Sequence, residues 1–316
     1  MKLVSAREFR GRDFLSLYDY SPEEINFMLD FAERLKDEQK KGITHHLLKG
    51  KTLGMIFKKS STRTRVSFEV GMYQLGGFAL FLSKDALQLA RGETIEDTGK
   101  VFSRYLDGIM IRTFDQAEVE KLAEAADIPV INGLTDLFHP CQALTDIFTI
   151  REHKGKLKGI KLVYVGDGNN VANSLLMAGA KTGMNVVVCC PPGYEPHEEV
   201  LKKAVSAAEL TGAEIQVLND PATAMSGADV VYTDVWASMG QESEAQKRAE
   251  IFKPYQLNGE LLKKAKDDCI VMHCLPAHRG EEITDEVIDG EQSVVFEQAE
   301  NRLHVQKAVM ALIMAD

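Results

Sequence analysis

Ser61-Thr62-Arg63-Thr64-Arg65 follows an apolar run at 53–57 and opens a helical pattern that continues through Leu75. A buried strand that feeds a helix N-terminus is the building unit of parallel α/β sheets. At such a junction the backbone N–H groups without intrahelical partners and the positive end of the helix dipole attract anions. Three hydroxyls interleaved with two arginines make this junction an anion cradle, because a guanidinium fork holds two oxygens of a phosphate or carboxylate together. The plainer alternative is a solvated basic turn at a helix start.

The same alternation repeats outward from the cradle. Apolar runs at 53–57, 78–82, 108–111 and 129–132 are separated by helical patterns at 65–75, 94–106 and 116–126. A second series predicts strands at 161–165, 185–190, 214–218, 230–233 and 270–273. Ser21-Pro22-Glu23-Glu24 has an N-cap, a proline at the first helical position and a capping-box glutamate, and starts a helix to Lys40. Strand and helix in turn imply parallel sheets. The expected fold is therefore α/β, with two Rossmann-like parallel-sheet domains and an active-site cleft between them. The first domain is expected at 1–153, with the helix 299–316 packing back on it, and the second at 154–298. Residues 141–153 form the expected connecting helix, with Lys154-Gly155-Lys156 as the hinge.

The chain of 316 residues is 45% hydrophobic, enough for a large core, and carries a formal net charge of −10. An acidic protein is a poor ligand for nucleic acid or an anionic membrane, so the basic cradle is a local feature that suits a small anion. The opening residues 1–14 lack an apolar signal core, and no run approaches the roughly 18 apolar residues of a membrane span. A cytoplasmic location follows as an expectation. The five cysteines are an odd number, two of them adjacent, and are expected as reduced thiols.

Ligands of open α/β sheets bind beyond the carboxyl ends of the strands. That rule selects Arg112-Thr113, His139-Pro140-Cys141-Gln142, Gly166-Asp167-Gly168-Asn169-Asn170, Asp234 through Gly240, and His273-Cys274-Leu275-Pro276. The Gly166 segment invites a dinucleotide reading, but Val171 occupies the third glycine position and Cys189-Cys190-Pro191 stands where a ribose-binding carboxylate belongs. The histidines and cysteines match no common zinc spacing, and no metal is expected. A Cys274 nucleophile with His139 or His273 as base is another reading. It has little use for two arginines at a helix start.

Together these residues resemble the aspartate/ornithine carbamoyltransferase family, nearly end to end. Ser61 to Arg65, Arg112-Thr113, His139 to Gln142, Asp234 to Gly240 and His273 to Pro276 occur in family order, followed by Glu300-Asn301-Arg302. Asp-x-Trp-x-Ser-Met-Gly is similar to the family's ornithine signature. The resemblance implies transfer of a carbamoyl group from carbamoyl phosphate to the δ-amine of L-ornithine, without a cofactor. It implies that Ser61, Thr62, Arg63, Thr64, Arg112, His139, Gln142, Cys274, Leu275 and Arg302 face carbamoyl phosphate. Asn170, Asp234, Ser238 and Met239 would face ornithine, with Arg112, His139, Asp234 and Cys274 nearest the chemistry. Gln88 matches the loop that enters the site of a neighbouring subunit, implying a homotrimer or a multiple of trimers. Another amine acceptor, such as putrescine or an acylated ornithine, is the alternative substrate. A dehydrogenase and a non-catalytic ornithine- or phosphate-binding protein are the other classes.

Overall fold

The computed structural model describes residues 4–315. The ends of the expected domain ranges, Met1 to Leu3 and Asp316, lie outside the described residues. In chain order the main elements are α1 (Pro22–Lys40), β1 (Thr52–Phe57), α2 (Thr62–Gln74), β2 (Phe78–Ser83), α3 (Ile95–Phe102), β3 (Gly108–Arg112), α4 (Gln116–Ala125), β4 (Val130–Leu134) and α5 (Pro140–Lys154). The second series has β5 (Lys161–Val165), α6 (Asn170–Thr182), β6 (Asn185–Cys189), α7 (Glu198–Ala208), β7 (Ile215–Leu218), α8 (Pro221–Met225), β8 (Val230–Thr233), α9 (Ala245–Phe252), α10 (Gly259–Leu262), β9 (Ile270–His273), α11 (Asp285–Ile288) and α12 (Val295–Met314). The contacts divide the chain into two compact units, one of residues up to Thr145 and from Glu300 on, the other Asp146–Ala299.

The first unit holds a parallel four-stranded sheet in the order β2-β1-β3-β4. The chain leaves β1 for one edge and returns to β3 on its other side. This reversal opens a crevice at the carboxyl ends of β1 and β3, where residues 58–65 and 112–113 lie. β1 and β3 are buried almost throughout, as strands covered on both faces must be. β2 is the edge strand and departs from that pattern, with Phe78, Leu80 and Phe81 exposed. The last helix joins this unit: Ile313 accepts a hydrogen bond from the Gly11 amide at 2.9 Å, and Met310 and Lys307 lie against Gly71, where a Cβ would meet them at 2.9 and 3.3 Å.

The second unit holds a parallel sheet in the order β7-β6-β5-β8-β9. Its reversal lies between β5 and β8, at Gly166–Asn170 and Asp234. Tyr164 and Tyr232 are cross-strand partners on these two strands, with stacked rings 5.9 Å apart in the core.

Two helix boundaries differ from expectation by four residues. α3 stops at Phe102 rather than 106, because Ser103 bonds back to the Gly99 carbonyl at 2.8 Å and the next residues turn to bring the Asp107 carboxylate to the Thr52 amide. α12 begins at Val295, a turn earlier than 299, since Val294-Val295-Phe296 reads as a strand by propensity and the hydrogen bond from the Gln298 amide to the Val294 carbonyl overrides it.

Candidate active site

In the first unit, Ser61 caps α2 with its Oγ accepting from the Thr64 amide at 3.2 Å. The cap leaves the amides of the first turn directed out of the helix start, beside exposed Thr62 and half-buried Arg63. Thr64 points inward and is buried. Its Oγ1 accepts from Nη2 of Arg302 on α12 at 3.2 Å, while Nη1 of the same guanidinium donates to Gln142 Oε1 at 2.6 Å. One fork thus ties together the starts of α2 and α5 and the middle of α12. Arg112 ends β3, and its carbonyl accepts from the Lys58 amide at 2.9 Å.

His139 immediately precedes Pro140, the first residue of α5, and its carbonyl accepts from the Gln142 and Ala143 amides. Burial, reinforced by Arg302, Arg112 and Arg63, holds this imidazole well below its usual range. It is neutral at pH 7. A neutral imidazole among three guanidinium groups donates or accepts a hydrogen bond without adding charge. Burial pushes the neighbouring Cys141 thiol up to about 12, so it is no thiolate at neutral pH.

One residue of the cradle motif behaves differently from the sequence expectation. Arg65, the second arginine of the cradle motif, is engaged at the surface, with Nε 3.0 Å from Glu69 Oε1 and its guanidinium 3.8 Å from the centre of the Phe81 ring. Gln88 begins a short turn, Gln88–Arg91, after β2 and is exposed. Among the described residues, no hydrogen bond joins its side chain to the cradle.

In the second unit, the reversal point gathers Asn169, Asp234 and Cys274. Asn169 caps α6, its Oδ1 accepting from the amides of Val171 and Ala172, and its Nδ2 donates to Asp234 Oδ2 at 2.8 Å. The Cys274 thiol donates to the other oxygen, Oδ1, at 3.0 Å. Asn170 is the first residue of α6 and half-buried. Ser238 lies on the following loop, its amide bonded to Gln241 Oε1 at 3.0 Å and its carbonyl to the Gln241 amide at 2.9 Å; Met239 is exposed. Arg248 closes this loop at its base, donating to the Trp236 carbonyl at 2.9 Å and to Asp167 at 2.8 Å.

Leu275 has a φ of 57°, a conformation costing a leucine about 1–2 kcal/mol. It is held there by a hydrogen bond from its own amide to His273 Nδ1 at 2.8 Å. An Nδ1 that accepts requires the proton on Nε2, which faces Glu282 at 3.1 Å inside the core. Both ring nitrogens are thereby engaged. Asp234, His273 and Cys274 lie close enough together to hold a metal ion, but His273 has no lone pair to offer one, and by the same argument it is no base for Cys274.

The sequence reading gave Asn169 no role of its own within the Gly166 segment, and missed Glu282 and Gln298, the latter with its Oε1 accepting from the His273 amide at 3.0 Å. Asn169 had a signal, an Asx residue immediately before a helix. The other two are recognisable only once the strand ends are in place. Of the two glycines read as dinucleotide-like, Gly166 sits at a φ of 148° and Gly168 serves packing. A Cβ on Gly168 would come within 2.3 Å of the backbone at Glu195 and Pro196, so this chain's own loop fills the space.

Comparison with known proteins identifies both parts of the chain. The family model for the carbamoyl-P binding domain of aspartate/ornithine carbamoyltransferase matches residues 12–152, and the model for its Asp/Orn binding domain matches residues 158–313. The chain belongs to the aspartate/ornithine carbamoyltransferase family. Within it, an ornithine carbamoyltransferase of Oceanobacillus iheyensis is 64% identical over 98% of this chain and 96% of its own length. The ornithine carbamoyltransferase structure from Pyrococcus furiosus superposes with a TM-score of 0.95 at 60% identity, covering 99% of both chains. The structure from Thermus thermophilus gives 0.85 at 40% identity, over 99% of this chain and all of its own. The fold expected of this carbamoyltransferase family member, two α/β units with parallel sheets, is the one observed.

Proposed function

We infer that this chain transfers the carbamoyl group of carbamoyl phosphate to the δ-amine of L-ornithine, giving L-citrulline and phosphate. The observation that carries the reading is the buried Arg302 fork on Thr64 and Gln142, with a neutral His139 and Arg112 beside it. Such a set is suited to a carbonyl oxygen that gains negative charge as it is attacked, and fixed donors are most effective at that point.

In this reading the phosphate rests on Ser61, Thr62, Arg63 and the start of α2, while Thr64, Arg112 and His139 face the carbonyl oxygen. Gln142 and the backbone at Cys274 and Leu275 hold the carbamoyl amide, and Arg302 serves the carbonyl and phosphate side. Asn170, Asp234, Ser238 and Met239 bind the amino-acid end of ornithine, with Cys274 near its δ-amine. The neutral δ-amine attacks the carbonyl carbon, the bond to the phosphate oxygen breaks, and phosphate departs with the electron pair and takes up the proton that the attacking nitrogen releases. No step in this scheme calls on a metal or cofactor. Much of the acceleration comes from holding two substrates in line. The carbamoyl-phosphate half covers 1–153 with the returning helix 299–316, the ornithine half covers 154–298, and the protein works in the cytoplasm.

The chain assembles as a trimer or a multiple of trimers, with Gln88 serving a neighbouring copy. Exposed Phe78, Leu80 and Phe81 on edge strand β2, with Val66 and Tyr73 on α2, support such an interface. Mixing Arg63→Ala chains with Gln88→Ala chains then restores part of the activity, and verified mixed trimers without recovery would exclude the shared site.

The test of the function is the initial rate of product formation from carbamoyl phosphate with ornithine, putrescine, N-acetylornithine and aspartate. The Ser238-Met239 loop with Asp234 favours ornithine, and a faster rate with another amine would reassign the acceptor.

A further inference from the structure

We propose that Gln306 and Ser67, outside the set that faces substrate, are positioning residues that lock the Arg302 guanidinium and the first turn of α2 into one rigid group. The proposal rests on the carbamoyl-phosphate reading above and extends it to the residues that hold the site in shape. Thr64 and Gln142 hold two corners of the Arg302 fork, but both are assigned to substrate in that reading. The remaining edge is held elsewhere. With its amide oxygen turned to the guanidinium, Gln306 accepts from Arg302 Nε at 3.0 Å and Nη2 at 2.7 Å. In a planar guanidinium, fixing the Nε–Nη2 edge fixes the direction of Nη1 as well.

The other end of Gln306 continues the connection. Its amide nitrogen donates to Ser67 Oγ at 2.5 Å, and that hydroxyl donates to the Arg63 carbonyl at 2.6 Å. Gln306 is fully buried and Ser67 nearly so. The chain Arg302–Gln306–Ser67–Arg63 therefore runs from α12 to the peptide unit that joins Arg63 to Thr64. Arg302 and the α2 start are set by one side chain.

The neutrality of Gln306 matters too. A glutamate of nearly the same shape would put a carboxylate oxygen on the same two nitrogens of Arg302 and draw its charge away from a bound anion. A glutamine orients the cation and leaves the charge for the ligand.

The experiment compares wild type with Gln306→Glu, Gln306→Met and Ser67→Ala. It reads kcat and KM for each substrate, the calorimetric affinity for inorganic phosphate, and thermal stability. Gln306→Glu is expected to lower kcat/KM for carbamoyl phosphate at least about tenfold and to weaken phosphate binding, with KM for ornithine unchanged. Ser67→Ala, which removes a single oxygen, is expected to lower kcat about three- to tenfold. Gln306→Met is expected to fall between wild type and Gln306→Glu, since it loses the orientation but adds no opposing charge. If Gln306→Glu does not fold, Ser67→Ala and Gln306→Met decide. Variants that melt at altered temperatures while kcat, carbamoyl-phosphate KM and phosphate affinity stay within twofold of wild type would reduce both residues to packing and overturn the proposal. A wild-type chain that binds phosphate but transfers no carbamoyl group would instead overturn the functional reading, and phosphate affinity would still report on Gln306.

Discussion

Asn169 holds Asp234 while capping α6: one end of its amide accepts from the Val171 and Ala172 amides, and the other donates to Asp234 Oδ2 at 2.8 Å. The carboxylate proposed to meet ornithine is thus aimed by the same side chain that starts the helix. Asn169→Ala should cost about 1 kcal/mol of stability from the lost cap. It should also raise KM for ornithine about tenfold with little change in KM for carbamoyl phosphate. Thermal melts and steady-state kinetics check both, and an unchanged ornithine KM would separate the cap from the substrate.

Arg63→Ala should remove transition-state stabilisation as well as binding, since charge grows on the phosphate as it leaves. A loss of about 3 kcal/mol or more, derived from kcat/KM, is expected. Turnover close to wild type at saturating carbamoyl phosphate would take Arg63 out of the site.

His139 is neutral because burial and three arginines lower its pKa, so it carries no second ring proton across the working range. The rate should rise with pH as the ornithine δ-amine loses its proton, and His139→Asn should lower the rate without changing the shape of that rise. The same depression sets a sign for stability. Below the ordinary imidazole pKa of about 6.5 the unfolded chain takes up a proton that the folded chain does not, so stability falls as pH falls through that region. Denaturant titrations should show a shallower acid loss in His139→Asn. An alkaline rise that disappears in this variant would make His139 the titrating group.

Lys307 is fully buried on α12, donating to Gln39 Oε1 at 2.6 Å and facing His45 Nε2 at 3.2 Å. Burial lowers its pKa from 10.5 to about 8. Below pH 8 the folded chain carries the full cost of this charge; as pH rises from 8 to 10.5 the folded amine loses its proton before the unfolded one, and stability rises. Lys307→Met should stabilise the protein at pH 7 by about 1–3 kcal/mol, less what the two lost hydrogen bonds contributed, and should abolish that alkaline rise. Equal pH dependence in the two proteins would locate the rise elsewhere.

The strands and the cradle were legible because their signals are local. A buried run that ends in Ser61-Thr62-Arg63 needs only its neighbours to be read. The partners of that cradle were less so: Gln142 was selected only as part of a strand-end segment, Arg302 was named through a family resemblance, and Gln306 was missed because it lies 239 positions from Ser67 and has no motif of its own. Arg65 was over-read, since sequence cannot show that Glu69, one turn on, and Phe81, on the adjacent strand, engage its guanidinium. The Gly168 turn looked like a ligand loop for a similar reason. Only the folded chain shows that residues 195–196 fill the space beside it.

The most direct measurement follows the transferred group itself. Carbamoyl phosphate labelled with carbon-13 and ornithine labelled with nitrogen-15 at the δ position are incubated with the protein, and the product is read by NMR. The account predicts citrulline in which the labelled carbon is bonded to the labelled nitrogen, formed at a rate that collapses in Arg63→Ala. Label on the α-nitrogen, or carbamoyl phosphate consumed with no carbon–nitrogen bond formed, would contradict it.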